Sequence, residues 1–172
     1  MATTVPHRLT GSQIPTDEVD VALAEFGPEL FGLALTITGS TADAEDAYQA
    51  AWMQAATHWA ELRNPRKRRS WLASVVARSA LRTRRRRLTW ARRHPPISEA
   101  QGLGAMMVWD PSLGTALLEL TDRQRAVVAL HYGHGYSLDE TAELLRCSKG
   151  TVRSHLARSL TTLRRTLHDD ED

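Results

Sequence analysis

The sequence is poor in features that mark several protein classes. Its 172 residues include one cysteine, Cys147, so the chain can build neither a disulfide framework nor a cysteine metal site. Cys147 falls in a predicted turn and reads as a packed thiol. His131 and His134 lack an obvious third ligand and read as incidental, so no metal and no cofactor is expected. No uninterrupted run of about 18 apolar residues marks a membrane span. The N-terminus lacks the charged-then-apolar pattern of a secretory leader, and a cytoplasmic location is expected. No Ser-His-Asp, Cys-His or paired-carboxylate arrangement has the spacing of an active site, so the chain is expected to bind rather than catalyse. Lysine is nearly absent, with only Lys67 and Lys149.

Net charge is small, but its placement is strongly uneven. The formal net charge is +2, yet Arg8 is the only Lys or Arg before Arg63. Between Arg63 and Ser98 there is no acid, and more than half of all Lys and Arg lie there. Such segregation points to a polyanionic partner better than the total does.

The segment from Leu120 to Leu167 carries the clearest pattern. Thr121 and Gln124 form a capping-box pair ahead of Ala126, Val127 and Leu130, and Gly133 and Gly135 then break the helix. Ser137 with Glu140 opens a short helix, Leu138 to Leu145, by the same reciprocal capping. Arg146-Cys147-Ser148 turns the chain, and Ser148 caps a long helix expected to run through Arg165. Helix, tight turn, helix is the helix-turn-helix pattern, whose second helix enters the DNA major groove. On that last helix Val152, Leu156, Leu160, Leu163 and Leu167 make one apolar stripe. Thr151, Ser154, Arg158, Thr161 and Arg165 face away from it, with Lys149 and Arg153 at the N-terminal end and flank. Short hydroxyls and long cations are the side chains that contact phosphates and guanine edges. Small Ala142 lets the two helices cross closely. An ordinary helical hairpin with a solvated basic face is the plainer reading, but caps, turn, stripe and polar face agree in register.

Earlier in the chain, residues 1–16 lack periodicity and are expected as a mobile tail. Leu23, Phe26, Leu30, Leu33, Ala34 and Ile37 keep helical spacing, with a break or kink predicted at Gly27-Pro28. Gly39-Ser40-Thr41 ends this unit and caps a second helix, about Ala42 to Ala60. Ala44, Tyr48, Ala51, Trp52, Ala55 and Trp59 give it a buried face. Opposite lie Asp46, Gln49, Ala50 and Met53, less polar than a solvated face should be, which suggests a partner surface. Asn64-Pro65 then opens a basic loop, Arg66 to Arg69. The third helix that follows packs Trp71, Leu72, Val75, Val76 and Ala80, and it presents Arg78, Arg82 and Arg84 to Arg87. Arginines held in a line make a phosphate-tracking surface. Pro95-Pro96 stops that helix, and residues 95–112 read as a flexible linker. The fold class is all-α: two small helical domains, 17–94 and 113–168, with an acidic tail at 169–172.

With those residues in view, the chain resembles the group 4, or extracytoplasmic function (ECF), sigma factors of the sigma-70 family. The resemblance rests on "LTITGSTADAEDAYQAAWMQA", "WLASVVARSALRTRRRR" and "LTDRQRAVVALHYGHGYSLDETAELLRCSKGTVRSHLARSLTTLRRTL", and covers about Val19 to Leu167. It implies an alternative sigma factor that directs core RNA polymerase to specific promoters and assists their opening. The first domain would be sigma-2-like and the last a sigma-4-like helix-turn-helix. Asp43, Asp46, Gln49, Ala50 and Met53 would dock the β′ clamp, and the last domain the β flap. Arg66, Arg68, Arg78, Ser79, Arg82, Arg84, Arg85 and Arg86 would meet the promoter −10 element. Ser148, Lys149, Thr151, Arg153, Ser154 and Arg158 would read the −35 element. The free chain would be monomeric, with an anti-sigma factor as a further candidate partner.

The sequence departs from the family at several points. Ala50 stands where an acid is common, Trp52 replaces the usual Phe, Ser79 the usual Asn, and Thr83 a frequent Asp. The Arg66 to Arg69 stretch lacks the aromatic that some members use near the unpaired −10 base. A self-contained helix-turn-helix regulator, dimeric or ligand-sensing, is the alternative. It would not need a second arginine-lined helix or the mixed apolar and acidic face on the second helix.

Overall fold

The computed structural model describes residues 16–59, 64–91 and 111–169, and these residues form helices and short connections only. The predicted tail and most of the predicted linker and acidic end lie outside the described residues. The helices are α1 (Thr16–Thr38), α2 (Thr41–His58), α3 (Pro65–Ala91), α4 (Pro111–Leu118), α5 (Asp122–Val128), α6 (Leu138–Leu145) and α7 (Lys149–Asp169).

The local signals act as their chemistry requires. Ser40 caps α2, its hydroxyl accepting from the Asp43 amide. Both predicted capping boxes are present, Thr121 with Gln124 on α5 and Ser137 with Glu140 on α6. The Ser148 hydroxyl accepts from the Thr151 amide at 3.1 Å and so caps α7. Helix α5 widens into a single π turn, Ala129–Gly133, closed where the His134 amide donates to the Ala129 carbonyl at 2.9 Å. The chain then leaves through Gly135 at φ +72°, a left-handed conformation suited to glycine.

Two expectations are corrected. Helix α1 runs unbroken through Pro28, because its packing against α2 and α3 outweighs the lost backbone donor. Gly27 has a different role: a β-carbon there would come within 2.7 Å of the Tyr48 hydroxyl, so its smallness lets α2 approach. The Arg66 to Arg69 stretch is the first turn of α3, with Pro65 in the initial position where its missing N–H costs nothing. Helix α4 opens the second half, and Ala116 and Leu120 pack there against Leu163 of α7.

By average hydropathy, Glu18–Thr38 could span a bilayer, although acids interrupt it. Here it is a core helix, with Leu30, Leu33, Ala34 and Ile37 buried. The two halves are not separate bodies. One apolar cluster runs from α1, α2 and α3 through Ala126, Val127 and Leu130 to Leu144, Leu145 and Val152.

Polar contacts fix the register of that seam. Arg125, 3% exposed, donates from Nε to the Ile37 carbonyl at 2.9 Å and from Nη1 to the Leu120 carbonyl at 2.8 Å. Weaker bonds reach Leu118 and Leu117, and Nη2 pairs with Asp122. One guanidinium therefore satisfies terminal carbonyls at the end of α1 and around α4 that would otherwise lie orphaned. Burial pushes its pKa below the ordinary arginine value, opposed by Asp122 and reinforced by Arg84. At the other side of the seam, Glu29 of α1 accepts from Arg69 of α3 and lies 2.8 Å from His134 Nδ1. His134 is therefore a bridge between halves, not the incidental residue expected.

Two outcomes follow from these contacts. Arg125→Ala leaves buried carbonyls without their donor and Asp122 with Arg84 alone, and is expected to cost about 3 to 5 kcal/mol in chemical denaturation. The second concerns Glu29, whose pKa burial raises but whose bonds to Arg69 and His134 hold it, on balance, below 4.5. A folded value below the unfolded one gives stability that is complete above pH 4.5 and fades as pH falls through the folded value. Thermal melts of wild type and Glu29→Gln should differ most at neutral pH and converge below 4.5.

Candidate polymerase and nucleic-acid interfaces

Helix α2 turns two faces outward and inward as its alanines dictate. Ala44, Ala47, Ala51 and Ala55 are fully buried against α1 and α3, and small side chains there bring the helices close. Asp46, Gln49, Ala50 and Met53 are all exposed, Met53 by 73%. Together with Thr83, Arg86, Arg87 and Trp90 of α3 they line a shallow groove. Asp43 also lines that groove, but from its buried floor. Only 5% exposed, its carboxylate accepts from Arg87 at 2.8 Å and lies 3.6 Å from Arg84. Its place is inward because it sits at the start of α2, against the arginine row of α3. The sequence gives no local sign of a pairing 44 residues distant.

The arginine row of α3 divides by partner. Arg85 and Arg86 are exposed, whereas Arg84 is held between Asp43 and Asp122. Arg68 pairs with Glu18 and stacks over the Trp59 ring, with 4.9 Å to the centroid. For Arg66 the described structure gives helical backbone only. Arg78 is half-buried, and Arg82 is exposed with its guanidinium donating to Ser79. Ser79 is 2% exposed and cannot reach a duplex as packed here, which corrects its predicted place in the −10 set. Helical position explains it: Ser79 lies between Val76 and Ala80 on the packed side.

The last helix matches its predicted geometry closely. Val152, Leu156 and Leu163 are buried, while Ser148, Lys149, Thr151, Arg153, Ser154 and Arg158 are all exposed. Ser148 is occupied in capping, and Lys149 pairs with Asp139 at 2.7 Å. Arg153, Ser154 and Arg158 are the outward groups left to meet a base edge. Ser159, buried among the leucines, escaped the stripe count because its hydroxyl is satisfied within the helix by the His155 carbonyl at 2.7 Å. His155 itself is held below the ordinary histidine value by burial, with Arg123 and Arg158 adding to the effect.

Between α1, α4 and the π turn lies a cavity of about 720 Å³, lined mainly by apolar groups including Leu35, Leu113, Leu117, Tyr132 and Leu163. Among the described residues no group of three His, Cys, Asp or Glu is placed to hold a metal ion.

Comparison with known proteins matches both halves. Residues 23–91 fit the family described as Sigma-70 region 2, and residues 112–163 fit Sigma-70, region 4. The chain is 31% identical over 144 residues to the ECF RNA polymerase sigma factor SigM of Mycobacterium tuberculosis, covering 81% of this chain and 71% of SigM. It is 29% identical over 181 aligned positions to the probable RNA polymerase sigma factor RfaY of Xanthomonas campestris, covering 95% of this chain but 43% of that relative. The fold matches the sigma factor RpoE, solved with the anti-sigma factor NepR from Bartonella quintana, at TM-score 0.70 and 22% identity over 88% of this chain and 98% of that one. Two matched regions in the right order, with a curated relative aligned along most of its length, place this chain in the ECF sigma factors of the sigma-70 family.

Proposed function

We propose that the chain is an alternative sigma factor, lending promoter recognition to core RNA polymerase and assisting duplex opening. The observation that carries this reading is the coexistence of two outward surfaces of different chemistry in a chain with both sigma regions. One is the Asp46, Gln49, Met53 face of α2, suited to a protein partner. The other comprises the cationic outer rows of α3 and α7, suited to DNA. Residues 17–94 would form the polymerase and −10 domain and residues 113–168 the −35 domain. A stand-alone regulator leaves the region 2 match and the α2 face without a use.

In this reading the chemistry is binding. Arginines on α3 supply salt-dependent affinity through phosphates, and a few side chains on α7 supply sequence choice. Capturing an unpaired −10 base costs roughly a few kcal/mol. With Ser79 buried, that cost falls on charge and on the polymerase more than on a base contact from Ser79. The work requires no catalytic group of the chain's own and takes place where RNA polymerase is, in the cytoplasm. An anti-sigma factor belongs to the proposal as a partner, since the matched RpoE is held by one.

The packed seam adds a requirement. Elements at −10 and −35 are about 25 base pairs apart, roughly 85 Å of duplex. A compact body of this size is about 35 to 40 Å across. The halves must therefore separate before both elements can be read. Separation also releases Arg84 from Asp122 for DNA.

Asp46→Arg is expected to abolish co-purification with core polymerase while leaving helical circular dichroism unchanged. Retained binding would remove the α2 face from the proposal. On α7, Arg153→Ala is expected to lower transcription from the cognate promoter about ten-fold, the effect of about 1.4 kcal/mol. It should also relax base preference at one or two positions of a randomised −35 element. Uniform weakening across sequences would make Arg153 a phosphate contact.

A further inference from the structure

The turn of the helix-turn-helix carries a backbone feature that its recognition role does not explain. Arg146 closes α6 at φ 52°, ψ 53°, the only non-glycine at positive φ among the described residues. Glycine or asparagine is the ordinary choice there, because a β-carbon in the left-handed region is disfavoured. Such an outlier at a non-glycine residue is a reason to look for a role for the side chain.

The surroundings supply one. Two residues before Arg146, the Leu144 carbonyl accepts from the Ser74 hydroxyl of α3 at 3.2 Å, in a buried contact. The end of α6 is thereby pinned to α3. Arg78 and Arg82 follow Ser74 at steps of four, so all three share one face of α3. That face brings two arginines of the first half towards the arginine of the second. Among the described residues none of the three is ion-paired with a carboxylate, while five other arginines of the chain are. Burial lowers the Arg78 pKa, and the charges of Arg146 and Arg82 lower it further. Like charges have thus been gathered across the seam at a cost, with no ion-paired carboxylate among the described residues to offset it. Guanidinium groups present flat donor forks that match phosphate oxygens, and three of them balance the charge of a diphosphate or triphosphate.

We propose that Arg78, Arg82 and Arg146 form a phosphate-binding site that exists only while the two halves are packed, and that a diphosphate or triphosphate group bound there holds the chain closed. Opening carries Arg146 away with α7 and leaves Arg78 and Arg82 on α3, so the ligand binds the packed form alone and stabilises it by mass action. The same charge can be supplied by a free oligophosphate or by two or three successive phosphodiesters of a nucleic-acid backbone, and the two sources are separable by experiment.

The test is the Tm of the free full chain in pyrophosphate against sodium chloride of equal ionic strength. Arg146→Gly and Arg146→Asn are the matched variants. Both accept the left-handed backbone, so both are expected to fold, the glycine variant with unchanged or higher Tm in chloride. Wild type should gain roughly 5 °C or more at pyrophosphate about a hundred times the Kd, and both variants should lose that gain. A short duplex tested alone completes the comparison. A gain with duplex but not pyrophosphate, absent from the variants, would assign the phosphate to a nucleic-acid backbone. Pyrophosphate also stabilises proteins by exclusion from their surface. An equal gain in wild type and variants would show only that effect and overturn the proposal, as would no gain with either anion.

Discussion

A buried cation sets the register between the two halves of this sigma factor. Arg125 reaches from α5 into the end of α1 and the exit of α4, donating to the Ile37, Leu118 and Leu120 carbonyls and pairing with Asp122. Buried ion pairs add little net stability compared with apolar packing, but breaking one is costly. Their effect is on register. With Arg125 seated on the Ile37 carbonyl, Asp122 lies within reach of Arg84, and Arg84 in turn within reach of Asp43. The first turn of α2 at Asp43, the arginine row of α3 and the start of α5 are thus tied into one charged chain.

That chain links folding to function through competition. Arg84 serves an acid of each half in the packed state, and the same guanidinium is a candidate for promoter phosphate in the open one. In the proposed open form DNA would compete with Asp122 for a cation, and the polymerase and the promoter together would offset the loss of the shared apolar seam. The exposed set (Arg85 and Arg86 on α3, Arg153, Ser154 and Arg158 on α7) is free to engage at once. A first encounter by those residues, followed by release of Arg84, fits the distribution of burial.

Much of this was legible from local sequence. The caps at Ser40, Thr121, Ser137 and Ser148, the apolar stripe of α7 and the outward face of α2 depend on residues three or four apart, and each stands where its spacing put it. What escaped depends on distant partners. Pro28 does not break α1 because two other helices hold it. Asp43 and Ser79 were expected at interfaces and are buried, one by arginines 41 and 44 residues away and the other by its place on the packed side of α3. His134 gained a role only when α1 and α3 brought Glu29 and Arg69 beside it. The joining of the halves into one core was equally invisible, since the apolar faces of α3 and α6 read the same whether they pack on each other or on neighbours in their own half.

The most direct test of this account is the distance between the halves. Dyes attached at exposed Glu25 on α1 and Arg164 on α7, each replaced by cysteine in a Cys147→Ala background, report it by energy transfer. Transfer should be high in the free chain and fall sharply when core polymerase and promoter DNA are added. High transfer persisting in a transcriptionally active promoter complex, or low transfer in the free chain, would contradict it.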